Sequence, residues 1–153
     1  MSGEWDFMDP ASRGNLLRTV RAEAAGFFEL AASQDWEAPT ACERWQARDH
    51  VGHMIDVTEG YFVAFDHARA RTAAPGALGL PVMAERLDER ARAFRSLGKE
   101  DVLKRVHEAF DRMMEISEGL TDEEWTGLMV PHPYMGPLPA SRRIRTYHGN
   151  RFE

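Results

Sequence analysis

From Ala47 to Ala70 apolar side chains return every three or four residues, and no proline interrupts them. Val51, Met54, Ile55, Thr58, Tyr61, Phe62 and Phe65 then share one stripe of a helix. At 1.5 Å per residue that helix is about 36 Å long, which suits a bundle better than a connector. A stripe of this kind buries itself against other elements, so the remaining segments should supply covering helices. The 153 residues are enough for such a core without disulfide or metal staples. We expect one domain spanning residues 1–153.

The covering helices are legible. One begins near Pro10, with Asp9 as N-cap and proline at the tolerated first position, and carries Leu16, Leu17, Val20, Ala24, Phe27, Phe28 and Ala31 inward. Residues 72–81 are a linker rich in Gly, Ala and Pro. A charged segment follows from Val82 to Leu97, with a thin stripe at Leu87, Ala91 and Phe94, and Gly98 breaks it. A further helix is expected over residues 100–118, burying Val102, Leu103, Val106, Phe110, Met113, Met114 and Ser117, with Gly119 to end it. Thr121 to Glu124 form a capping-box pattern that should start a short helix before Trp125. Residues 126–140 hold four prolines and two glycines and cannot be a regular helix. The last thirteen residues, SRRIRTYHGNRFE, contain four arginines and read as too short and too polar for a bundle helix. No long strand pattern and no internal repeat appears. The fold class is all-α, a helical bundle.

Charge and cysteine content narrow the function. The net charge of -6 opposes a general nucleic-acid binder, which needs a basic face for phosphates. Cys42 is the single cysteine, so an internal disulfide framework and a multi-cysteine zinc site are excluded. No apolar run reaches the roughly 20 residues of a membrane span. The opening residues MSGEWDFMDP lack the apolar stretch of a signal peptide, so a cytoplasmic location is expected.

Among six histidines, His53 sits at the edge of the apolar stripe and His50 lies three residues before it. A histidine entering a bundle core needs a partner for its ring nitrogens, and a metal held between facing helices is one such partner. The plainer reading is a hydrogen-bonded core histidine. His148, beyond the irregular loop, is the second candidate ligand if the chain folds back. His132 lies between two prolines in a loop able to overhang a site. His67 and His107 read as helix-surface residues. Cys42 reads as a packing residue, because Glu43 and Arg44 do not clearly favour a thiolate. Trp36, Trp45 and Trp125 should anchor helix ends, and the charges from Glu85 to Arg95 should be a solvated face. No phosphate loop and no nucleophile elbow is present.

One stretch carries more than pattern. Residues 35–62, DWEAPTACERWQARDHVGHMIDVTEGYF, place Trp36, Cys42, Trp45, Asp49 and His53 as Trp, then Cys-x-x-Trp, then Asp-x-x-x-His opening a long helix. This resembles the N-terminal domain of mycothiol-dependent maleylpyruvate isomerases, within the DinB-like superfamily. The later GLMVPHPYMGPLPA resembles the loop before that family's last bundle helix. The resemblance covers residues 10–140 and leaves 141–153 as an atypical tail.

The resemblance implies a DinB-like four-helix bundle and a divalent metal, zinc or nickel, held by three side chains. It further implies a transferase or isomerase reaction that uses a mycothiol-like, low-molecular-weight thiol. His53 would be the first ligand. The other two would come from the last helix, an acidic residue or histidine and then a histidine four residues on. His148 can serve as that last histidine, but Ile144 stands four residues before it and cannot bind a metal. The Arg-rich ending is therefore expected to truncate or replace the last helix. The metal candidates are His53 and His148; the resemblance and the residues assign no catalytic side chain. The alternative is a non-catalytic bundle with a degenerate metal site, acting by small-molecule binding or self-association. Expected partners are a small-molecule thiol or substrate and a second copy in a homodimer, with neither nucleic acid nor membrane.

Overall fold

The structure is a computed structural model that describes residue 6 and residues 8–149, with side chains through Ile144. Six helices form among the described residues: α1 (Arg13–Ser33), α2 (Ala47–Ala70), α3 (Met83–Ala93), α4 (Lys99–Glu118), α5 (Asp122–Gly127) and α6 (Ala140–Gly149). Two short strands, β1 (Met129–Val130) and β2 (Leu138–Pro139), pair antiparallel in the proline-rich stretch, with Met129 opposite Pro139. This is an all-α helical bundle.

Local sequence sets the element ends. Asp9 accepts the Ala11 N–H at 2.9 Å and opens a 3-10 turn at Pro10–Ser12 that leads into α1. Gln46 caps α2, and the Asp49 carboxylate reaches back to the Gln46 N–H at 2.7 Å, completing a capping box. The same device starts α5, where Thr121 and Glu124 exchange hydrogen bonds. The expected charged helix is shorter than its sequence pattern: α3 ends at Ala93, and residues 94–96 tighten into a 3-10 turn.

α2 is the central element, packed against α3, α4 and β1. One apolar cluster joins Leu17 and Val20 of α1, Tyr61 and Phe65 of α2, and Phe110 and Met114 of α4 to Trp125, Val130 and Ile144. A second cluster joins Val51 and Ile55 to Val102, Val106 and Ala31. Two glycine-type demands stand out. A Cβ at Gly52 would lie 2.5 Å from the Ala91 carbonyl oxygen, so α3 can approach α2 only because residue 52 has no side chain. Arg71, by contrast, ends α2 in the left-handed region at φ 52°, where glycine is the comfortable residue.

The ending differs from the expectation of a polar tail. Residues 140–149 are helical, with Ala140, Ser141, Arg143 and Ile144 buried. α6 packs on α5 and both strands. It is short, as read from the sequence, but it covers core. Its polarity is accommodated by lodging Arg143 against Tyr61, with the guanidinium carbon 4.0 Å from the ring centroid. Residues 72–81 are irregular as expected up to the 3-10 turn at Leu80–Val82, and the Leu78 N–H donates to the Pro133 carbonyl at 2.8 Å, tying them to the β1–β2 loop.

Two substitutions test these backbone demands by urea denaturation. Gly52→Ala should destabilise by about 1–3 kcal/mol, overpacking at the Ala91 carbonyl outweighing the helix-propensity gain. Arg71→Gly should stabilise by about 0.5–1 kcal/mol, because it relieves the left-handed strain.

Candidate functional site

His53 lies on α2 two turns from its start, partly buried beneath the Trp45 ring, with centroids 5.4 Å apart. Trp45 is itself fixed. Its indole N–H donates to Asp88 Oδ1 at 2.9 Å, and His50 meets its face edge-on at 5.0 Å. Burial pushes the His53 imidazole below its ordinary pKa; Asp56 opposes the shift and His50 adds to it. The ring is therefore neutral at pH 7. Its Nδ1 is buried and has no hydrogen-bond partner among the described residues. A buried polar atom left unpaired costs about 1–3 kcal/mol and calls for a reason.

Asp49, the other polar residue of the Asp-x-x-x-His element, has a structural role. It is 0% exposed and receives Arg95 Nε at 2.8 Å besides its capping bond. Burial works against its charge, but the hydrogen bonds from Arg95 and Gln46 and the charges of Arg95 and Arg48 outweigh burial and hold its pKa low. Cys42 is exposed, and its carbonyl closes a turn by accepting the Trp45 N–H at 2.8 Å. Trp36 anchors the end of α1 through its indole N–H to the Ala31 carbonyl at 2.7 Å.

His132 belongs to the β1–β2 loop. Its Nδ1 accepts the N–H groups of Tyr134 and Met135, each at 3.1 Å. Burial, reinforced by the charge of Arg143, pushes its pKa down to about 4. His67 pairs with Thr72 at the end of α2, and His107 stacks on Phe28 with centroids 3.8 Å apart; neither approaches a cluster of donors.

The expected three-ligand metal centre can be tested against these residues. His53 supplies one imidazole. Ile144, 2% exposed on α6, supplies hydrocarbon at the acidic ligand position. His148 lies on α6 one turn further, and its side chain is outside the described residues. Among the described residues no three His, Cys, Asp or Glu side chains converge. A histidine ligating through Nε2 carries its proton on Nδ1 and normally gives it to a carboxylate or carbonyl. Here that nitrogen has no acceptor. The described donors do not fit a three-ligand centre.

Sequence reading missed three charged residues. Asp88 sits in the run read as solvated, yet it is 6% exposed, held by Trp45, Arg92 and Arg44. Arg95 closes on Asp49, and Arg143 is buried at 5% exposure. A hydrophilic residue at a helix-stripe position was the only available signal, because Trp45, Asp49 and Tyr61, the partners that bury these charges, lie tens of residues away.

The geometry defines a helical-bundle protein with a sheltered, neutral histidine at the junction of its second helix and the loop before it. The chain belongs to the mycothiol maleylpyruvate isomerase N-terminal domain family, which matches residues 17–147, within the DinB-like superfamily. No curated protein and no solved structure matches it. Among the described residues no helix is long and apolar enough to cross a membrane.

Histidines held neutral in the native state bind protons only after unfolding. For His53 and His132 the folded pKa is depressed, so their stabilisation is complete above the ordinary 6.5 and is lost as pH falls towards the folded values. Unfolding free energy should fall between pH 6.5 and about 4, and His132→Asn should flatten that slope in urea titrations at stepped pH.

Proposed function

We propose that this chain binds a low-molecular-weight thiol of the mycothiol type beside His53, without a complete metal centre. The family supplies the thiol, and the orphaned His53 Nδ1 is the observation that carries the reading. An orphaned buried N–H is rarer than an orphaned acceptor, so the lone pair belongs on Nδ1 and the proton on Nε2. Nε2–H is then a donor for the ligand's sulfur, most strongly when that sulfur is a thiolate. Trp45 supplies an apolar wall beside it. Transfer or isomerisation chemistry on a thiol adduct is the reaction class that suits such a site.

The second reading keeps a divalent metal, zinc or nickel, on His53 and His148 and makes the chain a metal-dependent transferase or isomerase. It is favoured by the place of His148 on α6, one turn past Ile144. Metal analysis and calorimetry separate the two. Our proposal expects substoichiometric metal in protein purified from metal-replete cells, melting indifferent to chelator, and mycothiol binding weakened about tenfold or more by His53→Ala. About one equivalent of metal per chain, removed by chelator with a drop in melting temperature, supports the second reading instead. Mycothiol binding unaffected by His53→Ala sinks the thiol assignment.

A further inference from the structure

The thioether of Met8 combines access to solvent with a buried partner. Met8 is 36% exposed. Its sulfur accepts the Ser141 hydroxyl at 3.2 Å, across 133 residues of chain. Ser141 is 0% exposed and lies in the first turn of α6, so the contact fastens the approach to α1 onto the start of the last helix. Met8 is fixed on its own side as well. Its N–H donates to Asp6 Oδ1 at 3.0 Å, and Asp9, the next residue, caps the 3-10 turn at Pro10–Ser12.

Other methionines differ in one respect or the other. Met113 and Met114 are buried at 2% exposure in the core, out of reach of a dissolved reagent. Met129 and Met135 are 49% and 51% exposed, and no described hydrogen bond runs to their sulfurs. Oxidation there adds a polar atom where water already is.

We propose that Met8 is a reversible oxidation site whose modification unfastens residues 8–12 from α6. The oxidant is a peroxide. A sulfur lone pair attacks the peroxide, an S–O bond forms as the O–O bond breaks, and the released hydroxide keeps the transferred oxygen's proton and leaves as water. Sulfur loses two electrons and the peroxide gains them. Reduction by two thiols returns the thioether with a disulfide and water, the reaction of methionine sulfoxide reductases. The consequence follows from geometry. No oxygen atom fits between a sulfur and a hydroxyl 3.2 Å apart, so the sulfoxide must turn its oxygen away or shift the turn that carries it. Either way Ser141 loses its acceptor in a dry place, and a stranded buried hydroxyl is costly. The inference is independent of thiol binding at His53.

The test treats the full chain with a limiting dose of hydrogen peroxide, maps oxidised methionines by peptide mass spectrometry and follows the melting temperature. Met8 should oxidise well before Met113 and Met114, and the melting temperature should fall by about 3 °C or more, the size expected for one stranded buried group in a domain this long. A methionine sulfoxide reductase with a dithiol should restore it. Each variant is compared with its own untreated form. Met8→Leu cannot be oxidised at this position and should lose most of the fall. Ser141→Ala has no hydroxyl to strand and should lose at least half of it with Met8 still oxidised. If Met8→Leu fails to fold, the comparison of Ser141→Ala with wild type carries the test. Oxidation of Met8 no faster than of Met113 overturns the proposal. So does a melting temperature unmoved by Met8 oxidation, or a fall of the same size in Ser141→Ala as in wild type.

Discussion

The buried carboxylate of Asp49 is the constraint on which the arrangement around His53 depends. It closes the first turn of α2 through the Gln46 N–H and holds Arg95, which lies just beyond α3. Arg95 also donates to the Arg44 carbonyl, so one ion pair ties together the loop before α2, the start of α2 and the end of α3. Removing one member would leave a charge stranded in a dry environment, a larger loss than the pair's own net attraction. Gly52 works in the same place by a different means, letting the Ala91 carbonyl approach the α2 backbone. Charge and the absence of a side chain together set the distance between two helices, and Trp45 is clamped into the gap by Asp88.

The signature that suggested chemistry thus divides into parts of different kinds. Trp36 and Trp45 spend their indole N–H groups on anchoring, Asp49 spends its carboxylate on the cap and on Arg95, and Cys42 contributes a backbone turn. His53 alone is left with a nitrogen that the described fold does not use. The motif in this chain therefore records mostly how α2 is started and held, and its final histidine takes no part in that work.

This division explains what was legible in the sequence. The α2 stripe, the Asp9 and Thr121 caps and the α4 face follow from period and local hydrogen bonding, so they can be read from neighbouring residues. Asp88, Arg95 and Arg143 could not be read in this way. A charge is buried only when a partner arrives from elsewhere, and Trp45 to Asp88 or Tyr61 to Arg143 are contacts across the fold. The same limit hid the helical character of α6. Its three arginines look incompatible with packing until Tyr61 is placed beneath one of them, and Ile144 then fills the core at the next position.

Ile144 and Arg143 together decide the sign of the field that α6 contributes. An acidic residue at position 144 would offer negative charge to a cation. This chain places hydrocarbon there and a guanidinium at the adjacent position, both almost fully buried. A divalent metal near that guanidinium meets like charge in a medium that screens it poorly, whereas a thiolate or carboxylate meets opposite charge. The burial of Arg143 is enforced by α2, where Tyr61 places its ring beneath the guanidinium and donates its hydroxyl to the Arg143 carbonyl.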